Sequence, residues 1–386
     1  TRIPSSAASD VYKRQDKTRL MPFEFNAEQS YCIEAGHQYM RFYTDQGPIL
    51  NANKNITAIT KANPAVVTSN SHGFSDGDWV YIQNVGGMTE VNKKYFKVAG
   101  KTTNTFQLND VDGNAINSSS FTTYTSGGTA ASVVQITTPY DKDDLYEIQF
   151  AQTADVLFLV HKNYHAKKVT RSSNTDWSIA DVVFVDGPYL PENVTTTTFD
   201  PSGTTGNISI TASAVTGIND DQGFLSTDVG RLIRIGYQAD EWAASTAFAV
   251  GDVVRNSGNV YEAIQAGTSA GSGGPTNEGD NIVDGSVTWK YIDDGGIAYG
   301  NATITAITST TIVDVTVNRT FASHNADTHW SLGAYSDTTG YPRAVAFFEQ
   351  RLFFAGSKEQ PQTIWGSKSG DFETFTPSAL DDGSIN

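Results

Sequence analysis

The chain has 386 residues, which leaves room for roughly two to four cores of ordinary domain size rather than one. Its 26 Lys and Arg stand against 42 Asp and Glu, and the net charge of -16 excludes a surface built to grip nucleic-acid phosphates, although not an acidic channel through which a duplex slides. The apolar share of 38% is low for a compact enzyme, while 34 glycines among dense Thr, Ser, Asn and Asp suit many short strands and turns, so the expected class is all-β. Cys32 is the single cysteine, which rules out an internal disulfide and a thiolate metal cluster. No run approaches the about 18–20 apolar residues of a membrane helix, and no signal-peptide core follows the early basic residues, so a soluble chain without membrane insertion is expected.

In chain order, Thr1 to Gln15 (TRIPSSAASDVYKRQ) is similar to the translated sequencing-adapter tail that heads many metagenomic reading frames, and residues 1–15 are expected to be disordered and outside the fold. From Leu20 to Ile49, Phe23, Phe25, Tyr31 and Ile33 alternate with polar residues and Gly36 and Gly47 punctuate, which predicts a β-meander. Residues 55–134 form a self-contained run of short strands with turn signals at Asp76-Gly77 and Asp112-Gly113, expected to be a small barrel inserted in that meander. The meander resumes, so that residues 16–54 and 135–195 make the first part of a β core; the apolar run Val156 to Val160, closed by His161, predicts a central strand. Residues 196–240 read as a Thr/Ser/Gly-rich β linker region, and residues 241–292 as a second inserted unit with a Gly/Ser-rich loop at its middle. Residues 293–386 carry the last part of the core. Asn55 to Thr60 (NITAIT) and Asn301 to Thr308 (NATITAIT) are alike, and each is expected to open a run of short strands. Tyr341 to Phe375 predicts two strands, a polar turn with Pro361, a third strand and a Gly-Asp turn, one antiparallel blade of a propeller or sandwich. The closing DDGSIN stops without a terminal element, so a truncated blade is expected there.

That last segment, GYPRAVAFFEQRLFFAGSKEQPQTIWGSKSGDF, resembles the blade motif of phage short-tail nozzle (tail tubular) proteins: an Arg-Leu strand, a Pro-containing turn, a Trp-x-Ser strand and a Gly-Asp-Phe turn. Further stretches agree in the same order along the chain: RLMPFEFN at Arg19 to Asn26, YMRFY at Tyr39 to Tyr43, QTADVLFLVHKNYHAKKVTR, DGPYLPEN at Asp186 to Asn193, DVGRLIRI at Asp228 to Ile235 and HWSLGAYSDTTGYP at His329 to Pro342. Together they cover about half of the chain. The inserted run 55–134 resembles the β-barrel module named after the first catalytic-cysteine half-domain of ubiquitin-activating enzymes; Cys32 lies outside it, so no ubiquitin-like chemistry follows. The second insert resembles chitin-binding-type carbohydrate modules in its Trp242, Gly251-Asp252, Tyr261 and Trp289 skeleton, which makes Trp242, Tyr261 and Trp289 the candidate carbohydrate contacts. The text after Tyr261, EAIQAGTSAGSGG, lacks the aromatics that such modules use for sugar stacking.

Other constellations have plainer readings. His161 and His165 have the spacing of a helical zinc pair, but the intervening KNY lacks the glutamate of H-E-x-x-H, and on a strand that spacing separates side chains by about 13 Å. His324, Asp327 and His329 sit in a polar loop. Gly100-Lys101-Thr102 imitates the end of a P-loop, yet Tyr95 stands where its first glycine belongs. Asp110-Val111-Asp112-Gly113-Asn114 is a residue short of a calcium loop and reads as a hairpin turn. The pairs Asp143-Asp144, Asp220-Asp221 and Asp293-Asp294 read as loop charge, since neighbours on a strand point to opposite faces.

No catalytic residue, metal ligand or cofactor is therefore expected. What the resemblance implies is an all-β, propeller-like antiparallel meander core with inserted small β modules, located in the virion tail. Its partners would be further copies in a hexameric ring, a tail adaptor and tail fibre proteins, with viral DNA passing through the lumen without specific binding. Arg351, Trp365 and Asp371 would order the last blade. The competing reading is a carbohydrate-binding adhesin or receptor-binding tail protein that contacts a cell-surface glycan through Trp242 and Trp289.

Overall fold

The computed structural model describes residues 17–25, 29–45, 47–376 and 383–384; Thr1 to Gln15 and most of the closing DDGSIN lie outside the described residues. The described residues are all-β, with two single-turn 3-10 segments and no α-helix among them. No helix of the described chain is long and apolar enough to cross a membrane. Two compact units are present: the described part of Thr1–Glu147 with Gln152–Leu157 and Val169–Ile179, and Ile148–Ala151, Phe158–Lys168 and Ala180–Asn386.

In the first unit, the strands Arg19–Glu24, Ser30–Gly36, Tyr39–Thr44 and Gln135–Thr137 follow one another across an antiparallel sheet, and Gly47–Pro48 also pairs with Tyr39–Thr44. Period-2 alternation sends Met21, Phe23, Tyr31, Ile33, Met40 and Phe42 into the core. There they meet Trp177, which stacks on Phe42 at 4.0 Å and meets Phe23 edge-on at 4.9 Å. Contacts of this kind add about 0.5–1.5 kcal/mol each beyond area burial. Phe25, one step beyond the alternation, remains partly exposed beneath the Arg171 guanidinium, 4.1 Å from its ring.

Between Gly47–Pro48 and Gln135–Thr137 the chain leaves to build a seven-stranded sheet and returns, its departure and return clasped by the Leu50–Val133 bridge. The edge strands of that sheet, Lys54–Asn55 and Ala58–Ile59, are almost contiguous in sequence. Ile56 donates to Gly128 at one edge and Thr57 donates to Thr68 at the other, so the sheet must curl on itself. Ile56, Val67, Phe74, Val80, Ile82, Phe96, Phe106 and Leu108 fill the curl. The Gly77 and Gly113 turns carry φ of 93° and 86°, the left-handed conformation that the Asp-Gly pairs were expected to supply.

A four-stranded sheet has the order Gln149–Thr153, Val156–His161, Tyr164–Arg171, Trp177–Asp181, and Val156–His161 is flanked on both sides as its apolar run predicts. In the second unit the main sheet has six strands, ordered Phe199–Pro201, Asn207–Ala212, Ile312–Arg319, Ile297–Ser309, Leu232–Gln238 and Trp330–Leu332. Leu232–Gln238 pairs directly with Ile297–Ser309, and the five-stranded sheet between Asp240–Glu241 and Val287–Asp293 is inserted at that junction. Asn301 to Thr308 corrects the expectation for NATITAIT. It lies within one strand of 13 residues because neighbours pair with it on both sides, whereas the similar Asn55 to Thr60 is divided between two short strands.

The final sheet is Ala344–Phe348, Arg351–Ala355 and Ile364–Gly366. Phe348 pairs with Arg351, so the hairpin turns on Glu349 and Gln350 alone, at φ of 46° and 60°. Both central residues of such a primed turn favour Asn-Gly, and a non-glycine residue held there costs on the order of 1 kcal/mol. Replacing Glu349→Asn and Gln350→Gly together should therefore raise stability by about 1 kcal/mol in a urea titration; an unchanged or lower midpoint would show that the turn carries no such strain.

Candidate functional site

The second unit brings together four of the segments that resemble nozzle-protein motifs. Leu190 and Asn193 of DGPYLPEN donate from their backbones to Leu332 and Trp330 of HWSLGAYSDTTGYP, and Gly333 donates to Leu232 of DVGRLIRI. Lys358 and Glu359 of the last blade both donate to the Thr339 carbonyl. At the centre is an ion pair between Arg231 and Asp228, whose side chains are both wholly buried, at 3.0 Å. Arg231 Nε donates to the Gly333 carbonyl at 2.7 Å and Nη1 donates to Asn219 Oδ1 at 2.8 Å. Asp228 Oδ2 accepts from the Leu225 amide and from Asn219 Nδ2. Burial pushes the guanidinium below its usual value, while the Asp228 carboxylate acts in the opposite direction.

Arg231 Nη2 is buried and meets no acceptor within the protein. The same residue lines a cleft of about 490 Å³ whose walls include Leu190, Glu192, Asn219, Trp330, Thr338 and Lys358. Asn219 and Asp220 of the lining belong to the segment Asn219-Asp220-Asp221, three consecutive residues in the left-handed region at φ of 50°, 54° and 65°. Gly223 closes that loop at φ 78°, and a Cβ there would stand 2.3 Å from the Thr310 carbonyl oxygen.

The residues expected from the sequence fall elsewhere. Tyr261 and Trp289 are fully buried and fill the core of the inserted sheet with Val254, Ala263, Val287 and Tyr291, so neither offers a ring face to a sugar. Trp242 packs against the same core, and its indole N–H, like that of Trp289, donates to Asp284 Oδ2, at 2.7 and 3.0 Å. The Ala270 amide donates to the other oxygen of Asp284. Arg351 is buried and donates to the Ser367 carbonyl, Trp365 meets Tyr335 edge-on at 5.2 Å, and Asp371 accepts from the Glu373 amide.

The remaining constellations are tied up locally. His161 Nδ1 accepts from the Asn163 amide, His165 stands 3.6 Å from Asp181, and His329 Nδ1 is 2.7 Å from Asp327 while His324 is exposed. The Lys101 amide donates to Asp76 Oδ1. Asp110 accepts from the amides of Asn114 and Asp112, which hold its carboxyl below the usual range and make it the organiser of its own turn. Asp221 accepts from Gly217, Asp143 pairs with Lys17, and burial raises the Asp293 carboxyl, which accepts from the Asp294 amide. Among the described residues no three His, Cys, Asp or Glu converge as a metal site.

Residues 62–134 match the family model described as the ubiquitin-activating enzyme E1 FCCH domain, in agreement with the resemblance of the first insert. The chain is thus an all-β protein that carries an FCCH-type module. No curated protein matches the sequence. Among solved structures the chain is similar to the phage phi92 endosialidase, at 10% identity and a TM-score of 0.15, over 92% of this chain and 54% of that one. The chain therefore spans about half the length of that neighbour, a likeness too distant to place any residue.

Asp284 offers a direct check on the second insert. Asp284→Ala would leave three donors without their carboxylate, two of them indoles, and should cost the inserted unit about 3 kcal/mol or more, read from tryptophan fluorescence in urea. A loss below about 1 kcal/mol would mean that these hydrogen bonds do not hold the unit together.

Proposed function

We propose that the chain is a structural, non-catalytic component of a phage virion tail, the nozzle at the end of a short tail tube. The observation that carries this reading is that four collinear nozzle-like motifs are joined by backbone hydrogen bonds, two of them also through the buried Arg231–Asp228 pair. Residues that the motifs share are spent on holding segments together, as Arg231, Asp228, Arg351 and Trp365 all are. The FCCH-type module, inserted between two strands of one sheet, suits a peripheral decoration of such a scaffold.

The mechanism is passive. Copies of the chain form a ring, a hexamer by resemblance, docked on a tail adaptor beside the fibres. Its acidic character, with a net charge of -16, repels phosphates and lets the duplex pass without sticking, the reverse of the counterion release that drives DNA binding. Light scattering with negative-stain imaging tests this: the expected result is a closed ring of hexameric mass with a central channel, alone or beside its adaptor. A monodisperse monomer or trimer that forms no ring even with the adaptor would overturn it. The open cleft at the hub favours a second reading, a tail protein that contacts carbohydrate.

A further inference from the structure

We infer that the outward face of the FCCH-type module, around Trp79, Tyr81, Tyr95 and Lys97, is a binding surface for an acidic oligosaccharide, a pyranose chain that carries carboxylates. This goes beyond the nozzle reading and does not depend on ring formation.

Strand alternation defines the face. Val80 and Ile82 of Trp79–Gly86, and Phe96 and Val98 of Lys94–Ala99, point into the curled core. Trp79, Tyr81, Gln83, Tyr95 and Lys97 therefore point away from it, and a solvated sheet face is ordinarily polar. Here three of the five are aromatic. Trp79 pairs with Lys97 and Tyr81 with Tyr95 across the two strands, and the tyrosine rings stand 4.8 Å apart, tilted by 42°. Tyr95 is 37% exposed, so its ring is within reach of a ligand. The row from Trp79 to Gln83 is about 13 Å long, room for a short extended chain.

Charge selects an anion. The Lys97 ammonium lies 5.5 Å from the centre of the Trp79 ring, and the Arg41 guanidinium, from the neighbouring strand Tyr39–Thr44, lies 4.9 Å from the same ring. The ring quadrupole holds both cations in place. Arg41 is partly committed, since it donates to Gln135 and stands 3.8 Å from Glu34, whereas Lys97 enters no ion pair among the described residues. Residues 55–134 hold five lysines and five acids, so the net charge of -16 falls entirely on the rest of the chain. An anion approaching this face meets a neutral module and two ring-held cations.

The rings narrow the class. A nucleic-acid strand carries a charge at every nucleotide, which the acidic remainder of the chain opposes, and the tilted tyrosines offer no parallel stack for bases. An acidic oligosaccharide is less densely charged. Its C–H faces pack on the negative faces of the rings, its hydroxyls suit the Tyr95 phenol and the Gln83 amide, and a carboxylate meets Lys97. The surface is separate from Trp242, Tyr261 and Trp289, whose rings are committed to the core of the other insert.

The test uses the full chain on an array of carboxylated and neutral oligosaccharides with a single-stranded oligothymidylate and a polyglutamate peptide beside them, followed by calorimetric titration with the strongest carboxylated binder. Tyr95→Ala removes an exposed ring, Lys97→Gln removes the unpaired charge, and Lys101→Gln, in an exposed turn of the same module, is the control. The expected result is binding of at least one carboxylated oligosaccharide, weaker at higher salt, reduced at least fivefold by Tyr95→Ala and by Lys97→Gln and unchanged by Lys101→Gln, with the melting temperature of Lys97→Gln retained. Should Tyr95→Ala fail to fold, Lys97→Gln alone decides. Equal binding of neutral oligosaccharides, tighter binding of the oligothymidylate or the polyglutamate peptide, binding that Lys97→Gln leaves intact, or no binding of any carboxylated oligosaccharide at millimolar ligand would each overturn the assignment.

Discussion

The buried pair of Arg231 and Asp228 is the constraint on which the second unit depends. Removing two such charges from water costs several kcal/mol per ion, and their attraction offsets this only when the remaining donors and acceptors are met. Here they are met by groups far apart in sequence: Asn219 on one loop, Leu225 at the start of a turn, and the Gly333 carbonyl beyond the sheet. A hydrophobic substitute could fill the same space with no loss of stability, but it would accept many registers. We take the pair as a registry device, which fixes how the segments beginning at Asp228 and His329 close upon one another, with the segment from Asp186 bonded in turn to Trp330 and Leu332.

This division of labour explains how the chain carries large insertions. The seven-stranded sheet leaves and rejoins its host across the Leu50–Val133 bridge, and the five-stranded sheet leaves and rejoins where Gln238 faces Ile297. Insertion points closed by paired strands add little loop-closure entropy, which grows only with the logarithm of loop length. Each insert also brings its own core, around Phe106 in one and Trp289 in the other. The modules can therefore change while the hub remains.

Strand periodicity made much of this fold legible in the sequence. Alternation placed Phe23, Tyr31 and Ile33 in the core, the run from Val156 marked a flanked strand, and the Asp-Gly pairs marked real turns. The hub was not legible. Asp228 and Arg231 are three residues apart, a spacing that on its own suggests a solvated surface pair, and nothing local shows that strands from 300 to 333 will cover them. Their presence in DVGRLIRI was the available signal. Trp242 and Trp289 misled for the converse reason: a tryptophan in a small β module is equally suited to a sugar platform or a core, and Asp284, which decides for the core by accepting both indole N–H groups, lies 42 residues from one of them. The similar NITAIT and NATITAIT differ in structure because pairing partners, not local sequence, set strand length.

Native-state amide hydrogen exchange, followed across the whole chain in wild type and in Asp228→Ala, tests the hub most directly. If the pair sets the register of the second unit, amides of residues 188–193, 231–235 and 330–334 open together in the wild type, and Asp228→Ala lowers their common opening free energy by about 3–5 kcal/mol while the FCCH-type module is unaffected. Independent opening of these three segments, or equal protection in the variant, would contradict it.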